Sequence, residues 1–316
     1  MTAALEKLIG RCREMQELKS RILRLAASDL RIHVFGETGT GKEEVARALH
    51  ELSPRGRRAF VPVNPAGFSD ELFTAELFGH ARGAYTGAHC ARDGYVAEAE
   101  GGTLFIDEVA DMSPLAQVRL LRFLQQKEYQ RVGETAARRA DVRVLSATNV
   151  DLAQRVEEGR FRRDLFFRLK EDGLVVPPLR ERGCDVLVLA RHFLRRFAHA
   201  SGRPGPYLAP EAEALLLRHP WPGNVRELEN EMRRLLALSS GREVLPADLS
   251  PQIQGESEAA AGGLRAEMQL HEERILRRAI ERHDGVVARA AVELRITRQA
   301  LHAKLRRLAE RAAPPA

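Results

Sequence analysis

Short, almost wholly apolar runs recur through the first 177 residues: IHVF at 32–35, AFVPV at 59–63, TLFI at 103–106, VRVLS at 142–146 and LVV at 174–176. Helix-length segments separate them. Runs that can be buried on both faces, spaced this way, predict a mostly parallel sheet covered by helices. From Cys184 to Leu238 the period changes. Apolar residues in ALLLRH and NVRELENEMRRLLAL fall three and four apart, which predicts a wholly helical segment. Within it WPGNVREL marks a helix start, because proline in the first positions and a polar Asn near the cap suit unpaired N–H groups. Residues 251–263, PQIQGESEAAAGG, are small and polar, as a flexible linker would be. After the linker, Ile275, Leu276, Ala279 and Ile280 recur at helical spacing. A short helix over 288–294 and a third one starting at Thr297, a suitable N-cap, complete a small all-α unit. The expected organisation is an α/β core at 1–177, a helical lid at 178–248, a linker at 249–264 and a helical domain at 265–316, with no internal repeat.

A length of 316 residues suits two or three such units. With 30% charged and 44% hydrophobic residues the composition is that of a soluble globular protein. No apolar run approaches the roughly eighteen residues of a membrane span, and MTAALEKLIGRCREM lacks the apolar core of a secretory signal, so the expected location is the cytoplasm with no membrane partner. Cys12, Cys90 and Cys184 are far apart and have no C-x-x-C spacing, which argues for reduced thiols rather than zinc or disulfides. The net charge of +6 is unevenly distributed: residues 264–316 carry twelve Lys or Arg against seven Asp or Glu. That surplus makes the C-terminal segment the candidate for nucleic acid.

The first candidate chemistry follows strand IHVF. Gly36-Glu37-Thr38-Gly39-Thr40-Gly41-Lys42 has the G-x-x-x-x-G-K form and leads into a helical pattern, EEVARALHEL. In that context the main-chain N–H groups converge on phosphate oxygens, the helix N-terminus adds a partial positive charge, and Lys42 adds a full one. Glu43 occupies the position where a Ser or Thr hydroxyl usually reaches magnesium, so the metal must be held by another acid and by water. Asp107 and Glu108, at the end of GGTLFIDE, supply the acids. Asp107 is suited to Mg2+, and Glu108 to orienting and deprotonating the attacking water.

These residues, with Gly83-Ala84-Tyr85-Thr86-Gly87-Ala88 between them, resemble the AAA+ domain of sigma-54-dependent transcription activators, the bacterial enhancer-binding proteins. ELFGHARGAYTGA, GGTLFIDEV, SATN, FRRDLFFRL, PPLRER and WPGNVRELEN occur in the family's order, so the resemblance spans nearly the whole chain. It implies an AAA+ P-loop NTPase fold, ATP with Mg2+ as cofactor, and contact of residues 83–88 with sigma-54. Tyr85 stands where the family usually has Phe. By the same resemblance Asn149 senses nucleotide, Asn64 holds Glu108 away from water until the ring engages, Arg162 and Arg168 reach the neighbouring subunit's ATP, and Arg226 is the lid arginine that senses γ-phosphate. Proline after Asn64 lacks an N–H and alters the local turn.

The C-terminal pattern resembles a Fis-type helix-turn-helix. On its third helix Leu301, Leu305 and Leu308 face inward by spacing. Arg298, Gln299 and His302 are then the candidates for base edges, and Lys304, Arg306 and Arg307 for phosphates. Arg295 occupies the turn where the family usually has glycine.

The resemblance thus implies an ATPase that forms a hexameric ring, binds double-stranded enhancer DNA through dimers, and remodels the sigma-54 RNA polymerase holoenzyme from closed to open complex. Two other readings are a DNA-binding AAA+ regulator that does not activate sigma-54 and a general AAA+ motor. Core residues begin near Ile9-Gly10, from which one expects control by a regulatory protein in trans, or a regulatory domain removed from the N-terminus.

Overall fold

The computed structural model describes residues 3–85, 87–202, 205–238, 243–255, 283 and 301. Its strands are β1 (Ile32–Phe35), β2 (Phe60–Val63), β3 (Thr103–Ile106), β4 (Glu128–Tyr129), β5 (Arg138–Arg139), β6 (Arg143–Thr148), β7 (Asp172–Val175), β8 (Tyr207–Leu208) and β9 (Glu243–Val244). The α-helices are α1 (Ala3–Glu6), α2 (Arg13–Ala26), α3 (Lys42–Glu51), α4 (Asp70–Phe78), α5 (Tyr95–Glu98), α6 (Pro114–Gln126), α7 (Leu152–Glu157), α8 (Arg163–Leu169), α9 (Asp185–Ala200), α10 (Pro210–Arg218) and α11 (Asn224–Leu238).

The five apolar runs form one parallel sheet in the order β2-β3-β6-β1-β7. Strand alternation divides their side chains between two cores. Leu104, Ile106 and Val144 pack on one face with Phe78, Leu120, Phe123 and Leu165. Phe105, Leu145, Ala147, Ile32 and Val34 pack on the other with Ile22, Val45 and Leu49 of α2 and α3. Every residue of β3 and β6 is buried, as an internal parallel strand requires. Local chemistry sets several helix ends. Ser113 accepts the Ala116 N–H with Pro114 in the first turn of α6, and Asp151 accepts the Ala153 N–H at α7. The buried Arg143 guanidinium donates to the carbonyls of Leu25 and Ala26 at the C-terminus of α2 and to that of Leu30 beyond it.

One clasp ties the N-terminal segment to the helical region. Asp185, fully buried at the start of α9, accepts the Arg11 N–H at 2.7 Å and the Cys12 N–H at 3.2 Å, while Lys19 donates to the Gly10 carbonyl at 2.8 Å. Burial, with Asp185 adding to it, pushes the Cys12 thiol up to about 12.

His33 on β1 faces its register partner Ser146, with Nδ1 3.0 Å from Oγ. Burial, together with Lys170 and Lys42, pulls its pKa from 6.5 down to about 4. Because the folded-state value is depressed, the unfolded chain takes the proton first, so stability is lost as pH falls from 6.5 towards 4. The full loss is about 3 kcal/mol. Between about pH 7 and about pH 5, wild-type unfolding free energy is expected to fall about 2 kcal/mol more than that of His33→Gln, measured by urea titration. Parallel slopes for the two proteins would refute this.

The chain divides into two compact units, residues 1–248 and 249–316. In the second, Leu301 is helical and fully buried, the side expected from its spacing. The candidate DNA contacts Arg298, Gln299, His302, Lys304, Arg306 and Arg307 lie outside the described residues, as does Thr86.

Candidate nucleotide site

In the sheet β3, β6 and β1 are adjacent and parallel, so the residues that follow them emerge along one edge. Residues 36–42 follow β1, Asp107 and Glu108 follow β3, and Asn149 follows β6. The phosphate loop starts where the Gly36 N–H meets the Thr148 carbonyl and tightens where Thr40 donates through both N–H and hydroxyl to the Glu37 carbonyl. Gly41, at φ 97°, turns the chain into α3, and a side chain there would meet nothing within 4 Å. The loop is open where it faces the cleft.

Lys42 is 6% exposed, and its Nζ donates to the Gly36 carbonyl at 3.0 Å and to Glu108 Oε1 at 3.2 Å. The other oxygen of Glu108 accepts the Asn149 N–H at 3.0 Å, and Asn149 Nδ2 donates to the Thr38 hydroxyl at 2.8 Å. Glu108 itself has a left-handed backbone, φ 50°. Burial raises the pKa of Asp107, and the charge of Glu108 raises it further. Two acids crowded this way at a strand end gain from a cation. Among the described residues no group of three or more His, Cys, Asp or Glu is set to hold a metal. One or two carboxylates, with water and phosphate completing the shell, is the donor set that suits Mg2+.

The cleft has a volume of about 920 Å³. Thr38 to Glu44, Asn64, Asp107, Glu108 and Arg226 are among its lining residues, and Leu8, Ile9, Val176, Leu189 and Phe193 supply apolar surface for a base. Glu43 is on the cleft wall, paired with Arg47 at 2.8 Å. Asn64 lines the same cleft, and its Oδ1 accepts the Ala66 N–H at 2.9 Å in the turn that Pro65 begins. Arg162, just ahead of α8, and Arg168, in its last turn, do not line the cleft. Arg162 is exposed and bonded to Asp164 at 3.0 and 2.7 Å. In the 83–88 segment the Gly83 N–H meets the Ala88 carbonyl and the Ala88 N–H meets the Tyr85 carbonyl. The Tyr85 ring packs edge-on against buried His80, 5.1 Å between centroids, rather than standing free.

The sequence reading missed three residues beneath the phosphate loop. Arg180 pairs with Glu37 at 2.8 and 2.5 Å, Arg182 donates to the Thr40 carbonyl at 3.0 Å, and Asn224 reaches both Glu37 and Thr38. The first two lie in PPLRER and the third in WPGNVREL. Both motifs are legible in the sequence, yet of their residues only Arg226 carries a nucleotide-site role by resemblance.

Three families match the chain: Sigma-54 interaction domain over residues 8–174, AAA+ ATPase lid domain over 180–264, and Bacterial regulatory protein, Fis family, over 269–308. The chain is 44% identical over 304 residues to the transcriptional regulatory protein ZraR of Klebsiella oxytoca, covering 95% of this chain and 68% of that protein. It is 47% identical over 246 residues to the DNA-binding transcriptional regulator NtrC of Escherichia coli, covering 78% and 52%. Crystal structures of NtrX from Brucella abortus are also similar. The one in complex with ATP has a TM-score of 0.74 at 35% identity over 95% of this chain and 69% of that one, and the one with ADP has a TM-score of 0.73 at 36% identity. Matches of this extent show that the chain belongs to the sigma-54-dependent transcription activators, with an AAA+ P-loop NTPase core, a helical lid and a Fis-type helix-turn-helix.

Proposed function

We propose that the chain hydrolyses ATP in the cleft above β1, β3 and β6 and spends that cycle on moving residues 83–88 against sigma-54, opening promoter complexes of the holoenzyme. The observation that carries this reading is the meeting of Lys42, Asp107 and Glu108 at one cleft in a chain that also has the 83–88 motif. Lys42 and the 36–42 main chain hold phosphates. Glu108 takes the proton of the attacking water at its carboxylate, and Asn149 aligns that carboxylate through its N–H. Asp107 would hold Mg2+, which when bound neutralises charge on the β and γ phosphates. Arg162 and Arg168 complete the site of a neighbouring copy in a hexameric ring, as side chains outside their own cleft can. Asn64 engages Glu108 in another nucleotide state, and Arg226 senses γ-phosphate from the lid.

In this reading the units are an ATPase core at 1–177, a lid at 178–248, a linker at 249–264 and a helix-turn-helix at 265–316. The last binds enhancer DNA through Arg298, Gln299 and His302 at bases and Lys304, Arg306 and Arg307 at phosphates. The protein works in the cytoplasm. A regulatory protein acting in trans is the proposed source of control.

The described residues of the 83–88 segment, 83–85, 87 and 88, do not line the cleft that holds Lys42 and Glu108, so loop and ATP chemistry are separable. Thr86→Ala is expected to abolish capture of purified sigma-54 in the presence of an ATP transition-state mimic, while phosphate release stays within about twofold of wild type. Tyr85→Phe keeps the ring and is expected to retain capture. The check is a gel shift beside a phosphate-release assay on the same preparations. A wild-type chain that hydrolyses ATP and never captures sigma-54 would support the second reading, a DNA-binding regulator in which Tyr85 stays folded on His80.

A further inference from the structure

We infer that Asn224 is the positioning residue by which the lid helix grips the phosphate loop, so that Arg226 is set directly by the shape of residues 37–39. The inference rests on the reading of this cleft as an ATP site sensed by Arg226.

The side chain of Asn224 is fully buried and every part of its amide is engaged. Oδ1 accepts the Leu179 N–H at 2.8 Å, and Nδ2 donates to the Thr38 carbonyl at 3.0 Å and to Glu37 Oε2 at 3.1 Å. One residue thus joins the phosphate loop, the strap leading into the lid and the first turn of α11. Arg180 closes the far side by pairing with both oxygens of Glu37. The hydrogen bonds from Arg180 and Asn224 hold the Glu37 carboxyl below its usual range.

The main chain makes the same connection. Unpaired N–H groups at a helix start need an acceptor, and those of Val225 and Arg226 find the Gly39 carbonyl at 3.0 and 3.3 Å. The loop that cradles phosphate is therefore also the N-terminal cap of the lid helix. No side chain intervenes, because a Cβ on Gly39 would stand 2.3 Å from the Gly223 carbonyl. Arg226 begins only two residues beyond Asn224. A displacement of the 37–39 main chain consequently moves the start of α11, and the guanidinium moves with it.

Asn224 also has φ 53°, a conformation Asn tolerates better than most residues, and tolerance alone would explain its presence without any positioning role. Substitutions separate the two. Asn224→Gly keeps the backbone and deletes the bonds. Asn224→Asp keeps the backbone and the acceptor for Leu179 but turns the donor into a carboxylate against Glu37 and the Thr38 carbonyl. In the full-length chain both are expected to raise KM for ATP about tenfold, the worth of one or two buried hydrogen bonds, with a smaller change in kcat. Both should also lower the preference for ATP over ADP, in the direction expected of Arg226→Ala. Adding Glu37→Gln to Asn224→Asp restores a donor opposite the new carboxylate and is expected to recover at least half of the loss in log KM, which also controls for misfolding. Steady-state ATPase kinetics and binding of fluorescent ATP and ADP analogues provide the readouts. Wild-type nucleotide preference in Asn224→Gly, or no recovery by Glu37→Gln, overturns the inference while leaving the ATP site intact. An Arg226→Ala variant with unchanged ATP preference removes the sensing reading, and this inference falls with it.

Discussion

Lys42→Ala is expected to weaken ATP binding by at least about 100-fold, whereas Glu108→Gln should bind ATP near wild-type affinity and turn it over about 100- to 1,000-fold more slowly. The two side chains touch, with Nζ 3.2 Å from Oε1, so a variant that merely disturbed their contact would affect both functions alike. Their chemistry differs. Lys42 is the buried cation between the phosphate loop and the acids, and its removal leaves Asp107 and Glu108 facing the incoming phosphates uncompensated. Gln at 108 preserves shape and the acceptor for the Asn149 N–H but cannot take a proton from water. Equilibrium binding of a fluorescent ATP analogue beside single-turnover hydrolysis measures the two separately. Equal losses of affinity in both variants would defeat the division of roles.

The second large effect is complementation between two inactive proteins. Arg168→Ala and Glu108→Gln homomers should each be nearly inactive, a transition-state arginine being worth roughly 1,000-fold or more. A one-to-one mixture should recover up to about a quarter of wild-type turnover, since in random rings about one interface in four joins an intact Glu108 to an intact finger. The basis is geometric: α8, which carries Arg168 and is preceded by Arg162, is not part of the cleft wall of its own subunit. Mixed rings shown by mass spectrometry to have assembled, yet with no recovered hydrolysis, would mean that these arginines act elsewhere.

Apolar runs in the sequence revealed all five sheet strands, although the last begins at Asp172 rather than 174 because Asp172 and Gly173 pair as main chain beside β1 whatever their side chains. The two short ladders, β4 with β5 and β8 with β9, escaped because two residues carry no period. Strand order was not legible, since side-chain alternation says nothing of which strand lies beside which. Motif residues 36–42, 107 and 108 were legible because the order strand, loop, helix surrounds them. Their partners were not. Glu37 with Arg180, and Asn224 with Thr38, lie 143 and 186 positions apart. Asn224 is the instructive case: its polarity beside a helix start suggests a cap, but the loop carbonyl of Gly39 caps that helix and frees the amide for other bonds.

The Asp185 clasp also fixes where tension would travel. A pull on the chain ahead of residue 10 meets the bonds of Gly10 to Lys19 and of Arg11 and Cys12 to Asp185 before it can peel α2 from the sheet. Two of those three bonds end on the first residue of α9, so the lid feels a tug on the N-terminal segment as directly as the core does. The bonds lie together and share the strain, which makes the joint stiff over small excursions and abrupt when it fails.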